Sequence, residues 1–173
     1  IIKYVLRKDC MKTGKKKWII GLCCIIIFVL FNMYVLTFGI TMGHSLNIPE
    51  YSFVLKYKLP VTLYKLDQQY RFPLKRGEVI SFWNDERGNV AKRIVGLPGE
   101  KISYREGNLY VNDELVSEPY LNPGQKDDCY LAPFHLQEDE VWVMGDNRID
   151  SYDSRMFGPL NLSQITGKLI YAK

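Results

Sequence analysis

Val90-Ala91-Lys92-Arg93-Ile94-Val95-Gly96-Leu97-Pro98-Gly99-Glu100 is the stretch on which the reading of this chain turns. As a strand, it puts Val90, Lys92 and Ile94 on one face and Ala91, Arg93 and Val95 on the other. An ammonium between branched aliphatic side chains is poorly solvated, and desolvation lowers a lysine's pKa. A lysine that is neutral near physiological pH can serve as a general base. Keeping it so costs about 4 kcal/mol of lost charge solvation, a cost a fold seldom carries without a use for it.

Similar short β-rich runs lie on either side: residues 52–58, 79–83, 101–104, 109–111, 140–144 and 169–172. Turn clusters separate them, among them Arg76-Gly77-Glu78, Glu86-Arg87-Gly88-Asn89, Arg105-Glu106-Gly107-Asn108 and Pro123-Gly124. Many short strands with regular turns predict a mainly β, antiparallel domain of barrel or sandwich type. Residues 161–165 read as one helical turn.

The basic charge sits elsewhere. Residues 1–17 hold Lys3, Arg7, Lys8, Lys12, Lys15, Lys16 and Lys17 against Asp9, a net +6, while the other residues sum to −2. The basic balance is therefore a tail and not a nucleic-acid-binding face. Residues 18–40 carry no charge. As a helix they would be about 35 Å long, enough to cross a bilayer core. The positive-inside rule then leaves residues 1–17 in the cytoplasm. The expected organisation is a basic tail (1–17), a transmembrane helix (18–40) and an extracytoplasmic β-rich domain (41–173), a single-pass cell-membrane protein. The run is longer than a cleaved signal core, and no small-x-small pattern follows it. The chain begins with Ile1, and Met11 also reads as a start.

Cys10, Cys23, Cys24 and Cys129 form neither a disulfide framework nor a metal-ligand spacing. No metal or cofactor is expected. With His44 and His135 as the chain's two histidines, a Ser-His-Asp triad has little to draw on. A serine with a neutral lysine is the alternative. Ser45 follows the apolar run by a few residues, so a nucleophile there would work at the membrane surface; by position alone it also fits a linker. Gly43, two residues earlier, permits close backbone approach and an exposed amide. Near the C-terminus, residues 143–158 (VMGDNRIDSYDSRMFG) follow a strand with a dense set of polar groups. Asp153 and Arg155 are placed to pair, and Ser151 or Ser154 to orient a lysine amine. A polar turn with local Asx bonds would use the same residue types.

Taken together these segments resemble the bacterial type I signal peptidases, membrane-anchored serine proteases with a Ser–Lys dyad. Gly145-Asp146-Asn147-Arg148-x-x-Ser151-x-Asp153-Ser154-Arg155 is similar to that family's C-terminal motif. Residues 92–100 resemble its lysine motif, with Glu100 where Asp is usual. Residues 76–80, 109–113 and 118–121 also fit. The resemblance implies Ser45 as nucleophile and Lys92 as general base. It implies that Ser151 orients the lysine, that Asp153 and Arg155 brace the site, and that the Ser45 amide donates to an oxyanion near Gly43. It further implies a serine endopeptidase of the family's antiparallel β fold, without cofactors. The implied substrates are signal peptides of exported preproteins, with lipid and the secretion translocon as surroundings and no nucleic acid. The short single-span chain looks like the Gram-positive form.

The serine motif departs from the family pattern. Ser45-Leu46-Asn47-Ile48-Pro49 puts the proline one place late, with Leu for Met and no Thr. Leu for Met is nearly isosteric, but a displaced loop misplaces a nucleophile, and about 1 Å can cost about 100-fold. This leaves open a catalytically impaired relative that assists secretion or the assembly of pili and surface proteins.

Overall fold

A computed structural model of the chain describes residues 2–34, 36–41, 52–58 and 73–171. The first element is the helix α1 (Ile2–Tyr34). It runs through the basic tail and stops short of the expected end at residue 40, because residues 36–41 form the strand β1 (Leu36–Thr41). The uncharged part of the helix is thus residues 18–34, about 25 Å at 1.5 Å per residue, against a hydrocarbon core of about 30 Å. Among the described residues no helix is long and apolar enough to cross a membrane. The side chains described in this helix, from Trp18 to Met33, are largely exposed.

The β domain follows the sequence pattern closely. Its strands are β2 (Ser52–Tyr57), β3 (Val79–Asn84), β4 (Gly88–Gly96), β5 (Lys101–Arg105), β6 (Asn108–Val111), β7 (Glu114–Leu115), β8 (Leu131–His135), β9 (Glu140–Met144), β10 (Leu160–Asn161) and β11 (Ile165–Tyr171). The helical turn read at residues 161–165 is a 3₁₀ turn at Leu162–Gln164, closed by a reciprocal Asn161–Gln164 capping box. A four-residue helix, α2 (Ser154–Phe157), is capped by the Asp153 carboxylate.

All pairings among these strands are antiparallel. The larger sheet has the order β1-β2-β11-β3-β4-β9-β10 and the smaller β7-β6-β5-β8. Neither closes on itself, so among the described residues there is no closed barrel, and the barrel expectation is corrected to two open sheets. The reason is visible in the packing. The β4–β9 part of the larger sheet is buried on both faces, and each face has a different cover.

On one face Ile80, Phe82, Ile94, Val141 and Val143 pack with Leu160, Leu162 and Ile165. On the other Val95, Trp142 and Met144 meet Ile102, Tyr104, Leu109 and Val111 of the smaller sheet. Apolar residues therefore run continuously from Ile94 to Val95, which an alternating half-exposed strand would not tolerate. The β4 strand turns into the smaller sheet at Gly96. A Cβ there would lie 2.7 Å from Ile102 Cδ1 and 2.9 Å from Leu136 Cδ1, so the two sheets meet over a residue with no side chain.

Candidate active site

Lys92 sits in the middle of β4, opposite Ile80 of β3. Antiparallel partners share a face, so its side chain enters the same side of the sheet as Ile80, Val90 and Ile94. The residue is 5% exposed. Its Nζ donates to Ser151 Oγ at 3.1 Å. Burial lowers the Lys92 pKa. Asp153 and Asp146 pull it back up, while the positive charges of Arg155 and Arg87 push it further down. The desolvated lysine read from the sequence is thus present, with a hydroxyl acceptor at its nitrogen.

Ser151 is held by the turn that follows β9. Asp153 is fully buried and receives the Gly145 N–H on Oδ2 at 2.9 Å. Arg155 donates through Nε to Asp153 Oδ1 and through Nη2 to Asp153 Oδ2, both at 2.9 Å. The same Nη2 reaches the carbonyls of Arg148, at 2.8 Å, and Ser151, at 3.5 Å. Burial acts to raise the Asp153 pKa, but the bonds and charge of Arg155, with the Gly145 N–H and Ser151, hold it below the usual carboxylate range. Ser154 does not orient the lysine. Its hydroxyl accepts the Val143 N–H at 3.0 Å and so ties α2 to β9.

The opposite face of β4 carries a second charged group. Arg93 pairs with Asp146 in a buried two-point contact, Nε to Oδ1 at 2.8 Å and Nη2 to Oδ2 at 2.7 Å. Its Nη1 reaches the Gly77 carbonyl at 2.7 Å, and its guanidinium lies 4.3 Å from the Tyr120 ring centroid. Arg148 binds Glu118 with both terminal nitrogens and the Gly145 carbonyl through Nε. Glu100 accepts from Arg76 at 2.6 Å and from the Leu97 N–H at 2.7 Å, closing the turn after the lysine strand. A glutamate at this place completes both contacts.

The structure therefore brings together Lys92, Ser151, Asp153 and Arg155. Ser45 and Gly43 lie outside the described residues. Sequence reasoning overlooked four contributors: Arg87 at the β3–β4 hairpin, Tyr120, Glu118 and Asp127. Residues 118–121 already matched the family pattern, and that match was the one available signal for Glu118 and Tyr120. Among the described residues no three His, Cys, Asp or Glu side chains are grouped to hold a metal ion.

The antiparallel β domain thus holds a buried lysine on a serine hydroxyl, braced by an Asp–Arg turn. The chain belongs to the signal peptidase family, peptidase S26, whose family model matches residues 12–172. It is 38% identical over 109 residues to signal peptidase I of Bacillus caldolyticus, covering 56% of this chain and 60% of that protein. It is 33% identical over 114 residues to signal peptidase IB of Staphylococcus aureus strain N315, covering 57% of this chain and 60% of the relative. The match spans less than two thirds of either relative's own length. A crystal structure of a signal peptidase I from Enterococcus faecalis V583 is also similar, with TM-score 0.49 and 34% identity over 56% of this chain and 97% of that one.

Proposed function

We propose that this protein is a serine endopeptidase that removes signal peptides from exported preproteins, with Ser45 as nucleophile and Lys92 as general base. The observation that carries this reading is the buried Lys92 amine, 3.1 Å from Ser151 Oγ, with its pKa lowered by burial. Neutral Lys92 takes the hydroxyl proton of Ser45 as that oxygen bonds to the scissile carbonyl carbon. The oxyanion is met by the Ser45 amide. The Lys92 ammonium then protonates the leaving nitrogen as the C–N bond breaks. Water, deprotonated by Lys92, hydrolyses the acyl ester and restores the serine. Ser151 aims the amine, and Asp153 with Arg155 braces the turn that carries Ser151.

In this reading the protein acts at a lipid surface, anchored through the apolar residues of 18–40, with residues 1–17 on the cytoplasmic side and the β domain outside. The support is the row of exposed large side chains, from Trp18 to Met33, that water solvates poorly. A helix shorter than the bilayer core is accommodated by local thinning. The secretion translocon would deliver the substrates.

Purified full-length protein in detergent should cleave a fluorogenic signal-peptide substrate, and Ser45→Ala and Lys92→Ala should each abolish turnover. A second reading is favoured by the late proline in Ser45-Leu46-Asn47-Ile48-Pro49: an impaired relative that assists secretion or surface-fibre assembly. Absence of turnover by the wild-type protein would select it.

A further inference from the structure

Between β7 and β8 the chain leaves both sheets. Residues 116–130 form a strap with turns but no strand. Three arginines of the site region touch it. Arg93 stacks on Tyr120, Arg148 grips Glu118, and Arg155 donates Nη1 to Asp127 Oδ2 at 2.5 Å. The backbone joins in, with the Arg148 N–H donating to the Gln125 carbonyl at 3.0 Å.

The Arg155 contact joins the strap to the turn that carries Ser151. The remaining acceptors of its guanidinium are the Asp153 carboxylate and the carbonyls of Arg148 and Ser151. All three belong to the turn that presents Ser151 to Lys92. Asp127 comes from outside that turn and ties it to a different part of the chain. Its other oxygen, Oδ1, is buried without a hydrogen-bond partner. Besides holding Arg155, this carboxylate acts on the buried Tyr104 hydroxyl, whose pKa it helps to raise.

We propose that Asp127 is a positioning residue for the Lys92–Ser151 pair: it fixes the outer side of the Arg155 guanidinium, whose inner side fixes the turn carrying Ser151. This rests on the Ser–Lys reading given above. The charged groups that act on Lys92 are Asp153 and Arg155 on the turn and α2, Arg87 at the β3–β4 hairpin, and Asp146 after β9. Asp127 acts on Lys92 through Arg155. Without its carboxylate the guanidinium, still held by Asp153, is less compensated, and that disfavours an ammonium at Lys92 further.

The test uses the full-length protein in detergent with Asp127→Asn and Asp127→Glu. For Asp127→Asn, kcat should fall about 10- to 100-fold while KM stays within about threefold, the signature of misplaced groups. The acid limb of the rate profile should move to lower pH. Asp127→Glu, which keeps a carboxylate, should return the limb to its wild-type position. The rate of Lys92 acetylation by acetic anhydride against pH, read by mass spectrometry, should show the same downward shift. This last readout needs no turnover: it stands if the peptidase reading fails, and it fails alone if only the positioning role is wrong. A limb and an acetylation profile that stay in place or move upward overturn the proposal. So does a loss of kcat wholly matched by loss of folded protein in a melting curve.

Discussion

Lys92 stands directly opposite Ile80 in the β3–β4 ladder, an amine facing a branched aliphatic chain on the buried side of the sheet. Burial is the largest cause of its lowered pKa, ahead of any single charge. The sign follows: in the proposed mechanism the neutral amine is the active form, so kcat/KM should rise with pH through the Lys92 pKa and then level off. Ile80→Thr brings a hydroxyl to that face, eases desolvation and should move the limb to higher pH. A rate flat from about pH 5 to about pH 9, with chemistry limiting, would remove Lys92 from the role of base.

The same burial burdens the fold. A lysine whose folded pKa lies below its unfolded value binds a proton more readily in the unfolded chain. The penalty is complete below the folded pKa and is relieved as pH rises toward the unfolded one. Lys92→Met, apolar and unbranched, should therefore melt higher than the wild type, by more at about pH 6 than at about pH 9. Equal or inverted differences by calorimetry would contradict the desolvation account.

Asp153 works in the opposite sense. Its carboxyl is held below the ordinary range by Arg155, Gly145 and Ser151 against the opposing effect of burial. Its stabilisation is present above the unfolded pKa and is lost as pH falls through the lower folded value. Asp153→Asn leaves Arg155, 3% exposed, without its inner partner. The expected cost is about 3–5 kcal/mol near neutral pH. Urea unfolding should show the gap from wild type narrowing in acid, since protonation then does to the wild type what the substitution did.

Gly96 tests the junction of the two sheets. A methyl there meets Ile102 Cγ1 at 2.9 Å and Cδ1 at 2.7 Å, with Leu136 on the other side. Gly96→Ala should cost about 1–3 kcal/mol through overpacking. Unchanged stability in denaturant titration would mean that the smaller sheet gives way there.

The strand positions were legible because period-two patterning and turn residues are local signals. Residues 140–144, for example, are the strand in both readings. Strand β8 was missed: Pro133 interrupts it, and its side chains are largely exposed, so no alternation marks it. Strand β1 was read into the apolar run because Leu36 to Ile40 carry no charge, which suits a helix in lipid and a paired strand alike. Its pairing with β2 is a contact between segments, invisible in either one alone.

Composition and local pattern were enough to read a β-rich domain behind a basic and then uncharged, apolar stretch, and a lysine set among aliphatic residues. That is so because strand alternation, turn chemistry and charge runs act over a few neighbouring residues. Which hydroxyl meets Lys92, 59 residues away, was decided by tertiary structure. So was the enlistment of Glu118, Tyr120 and Asp127 by three arginines. A buried guanidinium is satisfied by whichever acceptors the folded chain brings within reach, and sequence separation places no limit on that choice.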